Sequence, residues 1–177
     1  PDEANKVFDK LAADYKDAPE AKDVVFVQAS SLLELGQKEK ALEVFKRMLD
    51  NERSFSPQQF LRAAKYLYEA KDFETALKFF QKARANAQAR EVWEPATLGV
   101  GQCSFETGNA AEAAKAIEEL MAKYPTSAYT VEACFASAKA YADIGSKLTD
   151  EKAKILEFNK AVKAMNRARQ VIRDPEQ

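Results

Sequence analysis

Residues 41–48 read ALEVFKRM, and variants of that phrase return along the chain: ANKVFDKL at 4–11, ALKFFQKA at 76–83, AAKAIEEL at 113–120 and AVKAMNRA at 161–168. Aligned on their leading alanines, Ala4, Ala41, Ala76, Ala113 and Ala161, the phrases recur at intervals of 37, 35, 37 and 48 residues. The fifth position is large and apolar in every copy: Phe8, Phe45, Phe80, Ile117 and Met165. The eighth holds Leu11, Met48, Ala83, Leu120 and Ala168. Steps of four and three place these columns on one face of an α-helix.

A second phrase precedes each of the last four copies. It reads ASSLLELG at 29–36, AKYLYEAK at 64–71, GQCSFETG at 101–108 and AKAYADIG at 138–145. Each opens on a small residue, Ala29, Ala64, Gly101 or Ala138, which lets a neighbouring helix approach closely. Three close on Gly36, Gly108 and Gly145, where a helix C-terminus favours a left-handed residue. Lys71 takes that position in the second unit and predicts a less favourable turn. Each unit is therefore a helix, a tight turn and an antiparallel helix. Pro19, Pro57, Pro95 and Pro125 fall between units or near helix starts, where proline is tolerated.

The reading predicts an all-α chain of nine helices, near 2–16, 20–36, 38–51, 57–70, 73–87, 92–107, 110–123, 128–145 and 150–172. They form one array over 1–177: a half repeat at 1–18, repeats at 20–55, 57–90 and 92–126, and a last repeat at 128–173. The N-terminal half repeat lacks its partner, which suggests a start cut from a longer protein. In the last unit Gly145 and Ala161 are sixteen residues apart, eleven more than elsewhere, and Thr149-Asp150 before Glu151 reads as a capping signal. Ile155, Phe158, Val162 and Met165 continue a helical stripe there, so the final helix is expected to be extended at its N-terminal end and to cap the stack.

Composition agrees with a folded helical chain. Of 177 residues, 46% are apolar and 31% charged, with only five Gly and six Pro. The net charge of −1 argues against nucleic acid as a partner, and the late cationic tract of Lys160, Lys163, Arg167, Arg169 and Arg173, diluted along a helix, reads as a solvated face. No apolar run is long enough to span a membrane. Cys103 and Cys134, without CxxC spacing, are expected as buried free thiols. The chain has no histidine, no phosphate-binding glycine loop and no nucleophile–base pair. The expectation is therefore no enzyme, no cofactor and no metal.

The recurring small, Gly, Ala–large–Ala and Pro positions resemble the tetratricopeptide repeat. The third unit carries the pattern most fully, in Gly101, Gly108, Ala113, Ile117, Leu120 and Pro125. The resemblance implies a right-handed α-solenoid and a protein-interaction scaffold holding a peptide or protein segment in its concave groove. Self-association within a larger envelope protein, or docking for a catalytic domain, are the alternative roles. Tyr124, Pro125, Ser127, Tyr129 and Ala133, with an echo at Tyr15, Ala18, Pro19 and Ala21, are similar to bacterial envelope repeat proteins. Those include outer-membrane assembly lipoproteins and the Tol–Pal coordinator family. That likeness implies a bacterial periplasm or cell envelope, with the cytoplasm as the alternative.

The resemblance also implies that first helices line the concave side. Columns on that face are Phe26, Leu61, Leu98 and Phe135; then Lys65, Gln102 and Lys139; then Leu33, Tyr68 and Phe105. The next column is acidic in all four units: Glu34, Glu69, Glu106 and Asp143. It lies in the last helical turn, where the macrodipole disfavours anions, so local helix stability does not account for it. These fourteen residues are the expected partner-binding set. An acidic ladder beside apolar side chains suits a partner with basic and apolar residues.

Overall fold

The computed structural model describes residues 6, 7, 10, 19–50 and 55–173. Among them are eight long helices and no strand: α1 (Pro19–Glu34), α2 (Lys38–Asp50), α3 (Pro57–Glu69), α4 (Phe73–Asn86), α5 (Arg90–Glu106), α6 (Ala110–Lys123), α7 (Thr130–Lys147) and α8 (Glu151–Arg173). They correspond to the second to ninth expected helices. The first, near 2–16, lies outside the described residues apart from Lys6, Val7 and Lys10.

The helix pairs are closed by one repeated turn. Gly36 (φ 71°), Lys71 (φ 60°) and Gly108 (φ 85°) are all left-handed. In each turn the left-handed residue donates its N–H three residues back, and the next residue donates five back. The bonds are Gly36 to Leu33 and Gln37 to Leu32, Lys71 to Tyr68 and Asp72 to Leu67, and Gly108 to Phe105 and Asn109 to Ser104, all 2.8–2.9 Å. This double bond satisfies the last carbonyls of the first helix. The following residue then starts the second helix, with Asp72 and Asn109 accepting from Thr75 N–H and Glu112 N–H. Ser56 and Gln59 form a reciprocal cap on α3, where Pro57 is the first helical residue. Asp150 caps α8 through Ala153 N–H at 2.7 Å, as its sequence signal predicts.

Two sequence expectations are corrected. Gly145 does not end a helix; α7 runs through it to Lys147. A Cβ there would lie 3.3 Å from Glu157 and Phe158, so this glycine serves the close approach of α8. Pro95 is the sixth residue of α5, because that helix starts at Arg90 rather than near 92. Its missing N–H leaves Glu91 without the usual intrahelical donor.

Packing is local along the chain. Backbones of successive first helices (α1, α3, α5, α7) approach one another, whereas those of the second helices stand further apart. Substantial packing is confined to helices one or two places along. An array closer-packed on its first-helix side curves toward that side, which makes the first helices the inner layer. Side chains bridge the outer layer: Phe45 of α2 meets Phe79 of α4 edge-on, ring centroids 5.9 Å apart, and Phe79 meets Phe60 at 5.8 Å.

The large column is buried both within repeats and between them. Phe45, Phe80 and Ile117 are buried. A Cβ built on Gly99 of α5 would fall 2.5 Å from the Phe80 ring, and one on Gly101 would fall 2.6 Å from Ile117. Residues 92–101 are buried without interruption, as befits a helix enclosed on all sides. Between the third and last units, the Tyr124–Tyr129 turn is tied down. Tyr124 packs edge-on against Trp93 at 5.6 Å, and Ser127 donates to the buried Glu94 carboxylate at 2.8 Å. Arg90 pairs with the same carboxylate.

Both cysteines are free and buried. Burial, and then Glu106, pushes the Cys103 thiol up to about 12.

Lys71→Gly should stabilise the protein by about 1 kcal/mol, read as a raised urea midpoint, because glycine adopts the left-handed turn without a Cβ clash. Gly99→Ala should cost about 1–3 kcal/mol in the same assay, since the Phe80 ring must move. The raised Cys103 pKa stabilises the fold fully below the unfolded thiol value, near 9. That contribution is lost as pH climbs toward about 12, because the unfolded chain ionises first. Cys103→Ala should therefore flatten the alkaline decline of the urea midpoint.

Candidate partner-binding groove

The inner layer holds a cleft of about 180 Å³ lined by Tyr68, Gln102, Phe105, Glu106, Glu132, Phe135, Ala136 and Lys139. One residue comes from α3, three from α5 and four from α7, so three successive first helices build it. Tyr68 is fixed from below by edge contacts to Phe73 at 5.4 Å and Phe80 at 6.4 Å. Its hydroxyl is held above the usual tyrosine range by burial first, then by Cys103, Glu106 and Glu132. The cleft therefore carries negative potential at its aromatic floor. Among the described residues, Glu106, Glu132 and Lys139 form no ion pair, leaving two carboxylates and one ammonium open to solvent. Phe135 is 43% exposed, an apolar ring offered to the cleft.

A second hollow, of about 410 Å³, lies between α1 and α3. Ser30, Leu33, Glu34, Tyr66, Glu69 and Ala70 line it, with Lys38 from the start of α2.

The fourteen expected residues divide by environment. Tyr68, Gln102, Phe105, Glu106, Phe135 and Lys139 meet in the cleft, and Leu33, Glu34 and Glu69 in the second hollow. Lys65 is exposed and lines neither. Phe26, Leu61 and Leu98 are only 1%, 2% and 4% exposed, so these three side chains are core and unavailable to a partner. The Arg62 guanidinium lies over the Phe26 ring at 4.9 Å. Asp143 pairs with Lys147 at 2.6 Å, which offsets its charge. The acidic column is thus distributed over two hollows and one ion pair.

Glu132 was not among the expected residues. It lies one helical turn before Phe135, and the corresponding positions of the other first helices are Asp23, Gln58 and Pro95. No acid recurs throughout that column. The signal available was local: an acid three residues from an exposed aromatic on one helix face.

Two family models match the sequence: tetratricopeptide repeat protein 21 ARM repeat over residues 1–83, and tetratricopeptide repeat over 61–128. No curated protein matches. Two crystal structures of MamA share the fold at 17% identity. One has a TM-score of 0.56 and covers 96% of this chain and 91% of its own. The other has a TM-score of 0.58 and covers 96% and 85%. Among the described residues no helix is long and apolar enough to cross a membrane. The stacked helix pairs, the repeated left-handed turn and the two family matches together show an α-solenoid of tetratricopeptide repeats.

Proposed function

We propose that the chain is a non-catalytic interaction scaffold whose inner layer holds a protein or peptide segment, seated in the cleft between α3, α5 and α7. One observation carries the reading: partly exposed aromatic rings and unpaired charges from three consecutive first helices converge on a single hollow. Aromatic faces supply contact area with little side-chain entropy to lose. Two carboxylates against one ammonium favour a basic side chain, which gains a further ~0.5–2 kcal/mol over an aromatic face as water is excluded. The hollow between α1 and α3 adds Glu34 and Glu69 on the same layer, so a longer segment would meet acidic groups twice.

Selection from a random peptide display library tests this. Enriched peptides should pair Lys or Arg with an aliphatic or aromatic residue. Their affinity should fall about tenfold with Glu106→Lys plus Glu132→Lys, and more at low than at high salt. Phe105→Ala plus Phe135→Ala should abolish capture. Enriched acidic peptides, or capture indifferent to the aromatic pair, would remove the cleft from consideration.

A further inference from the structure

The two hollows of the inner layer are built on one register. Ser30, Leu33 and Glu34 of α1 line the hollow between α1 and α3, and Gln102, Phe105 and Glu106 of α5 take the same places in the cleft, two repeats on. In both triplets the first two residues are half-buried and the glutamate is exposed. A facing helix adds a second glutamate to each hollow, Glu69 in one and Glu132 in the other, and α3 adds a tyrosine, Tyr66 or Tyr68. One lysine stands in each, Lys38 or Lys139, so both keep an excess of negative charge. Among the described residues neither Glu34 nor Glu69 forms an ion pair, and the same is true of Glu106 and Glu132. The series stops at α7, where the register holds Ala142 and an Asp143 paired with Lys147.

Helix α3 is the wall the hollows share. At about 100° per residue, Lys65 falls between Tyr68 on the cleft side and Glu69 on the other, one turn before both. It is exposed, lines neither hollow and, among the described residues, forms no ion pair. A path along the inner layer therefore meets acid, lysine and acid in turn. Packed helices lie about 8–10 Å apart, so hollows two first helices apart are separated by about 16–20 Å. A chain in the polyproline II conformation rises about 3.1 Å per residue and returns to the same face every third residue, about 9 Å on. That period matches the step from one first helix to the next. An α-helix would need about 11–13 residues for the same span, and at about 10–12 Å across it is wider than one step.

We propose that the two hollows are one bipartite site for an extended protein segment with basic residues at positions i and i+6 and an acidic residue at i+3. One basic side chain enters between Glu34 and Glu69, the other between Glu106 and Glu132, and the carboxylate lies over Lys65. Charge complementarity selects the segment. A segment basic at all three positions is rejected, because its central cation meets Lys65. Arginine suits the cleft better than lysine, because its planar guanidinium stacks on aromatic faces, which Tyr68, Phe105 and Phe135 supply. The segment so defined presupposes that the groove binds peptides, and adds a spacing and a charge order.

The test uses the synthetic peptide Arg-Pro-Leu-Asp-Pro-Leu-Arg and three relatives. One has its second Arg replaced by Ala, one has its Asp replaced by Lys, and Arg-Pro-Leu-Arg halves the spacing. Fluorescence anisotropy should show the parent peptide binding the chain about tenfold tighter than each relative, with affinity falling as salt rises. Lys65→Glu, at an exposed site, should reverse the preference between the Asp and Lys peptides. Glu34→Lys plus Glu69→Lys should reduce the parent to the affinity of the one-arginine peptide. Equal binding of the parent and half-spaced peptides would overturn the bipartite site, as would a Lys65→Glu variant that still prefers Asp. Failure here is separable from failure of the groove. Capture of the one-arginine peptide through Phe105 and Phe135, with no gain from the second arginine, overturns the bipartite site and leaves the groove standing. No capture of any peptide, or capture indifferent to Phe105→Ala plus Phe135→Ala, overturns both.

Discussion

The fold rests on the burial of one large side chain per second helix, set against small residues of a first helix where Phe80 meets Gly99 and Ile117 meets Gly101. Phe80 under Gly99 is the clearest case: the ring occupies the space that any Cβ would need. The Phe80 contact joins two helix pairs, so each pair gains burial from its neighbour. The constraint reaches outward from there. α5 must be enclosed on every side, and it is buried from residue 92 to 101, with Glu94 admitted because Ser127 and Arg90 satisfy its carboxylate. The turns must be short enough to keep each pair in register, and three of them use the same left-handed residue and the same two hydrogen bonds.

That packing also sets the geometry of the inner surface. Tyr68 lines the cleft with one edge and touches Phe80 with another, so the repeat interface and the floor of the cleft share a contact. Cys103 lies beneath, too buried to ionise near neutrality. The groups left to face solvent are those the array does not use: Glu106, Glu132, Lys139 and the rings of Phe105 and Phe135. A surface of this kind is preorganised, because its supports are core residues in fixed positions, and an incoming segment is spared the ordering of loops.

Periodicity made the architecture legible. The columns headed by Ala41 and Phe45 report a helix face, and their recurrence reports stacking, because isolated amphipathic helices have no reason to repeat at a constant interval. Lys71 was recognisable as a turn residue only through its register with Gly36 and Gly108. The misreadings share a cause. Glycine has one sequence signature and two uses, and Gly145 serves helix approach where its counterparts serve a turn. Phe26, Leu61 and Leu98 form a regular column, yet a helix covered on several sides buries more than one stripe, so periodicity alone did not separate core from groove. Glu132 belongs to a single unit, and column-reading is blind to what does not recur.

The last helix shows how far register and environment can diverge. Met165 occupies the place of Phe45, Phe80 and Ile117 in the alignment, yet it is largely exposed where they are buried. Helix α8 runs for 23 residues, longer than any other described helix, and its buried contacts with α7 are made by alanines. Exposed Ile155, Val162 and Ile172 therefore contribute little to the stability of the array, while a contiguous apolar strip raises the tendency to associate. The charge is equally uneven: +5 on α8 within a chain of net −1 leaves −6 on the rest.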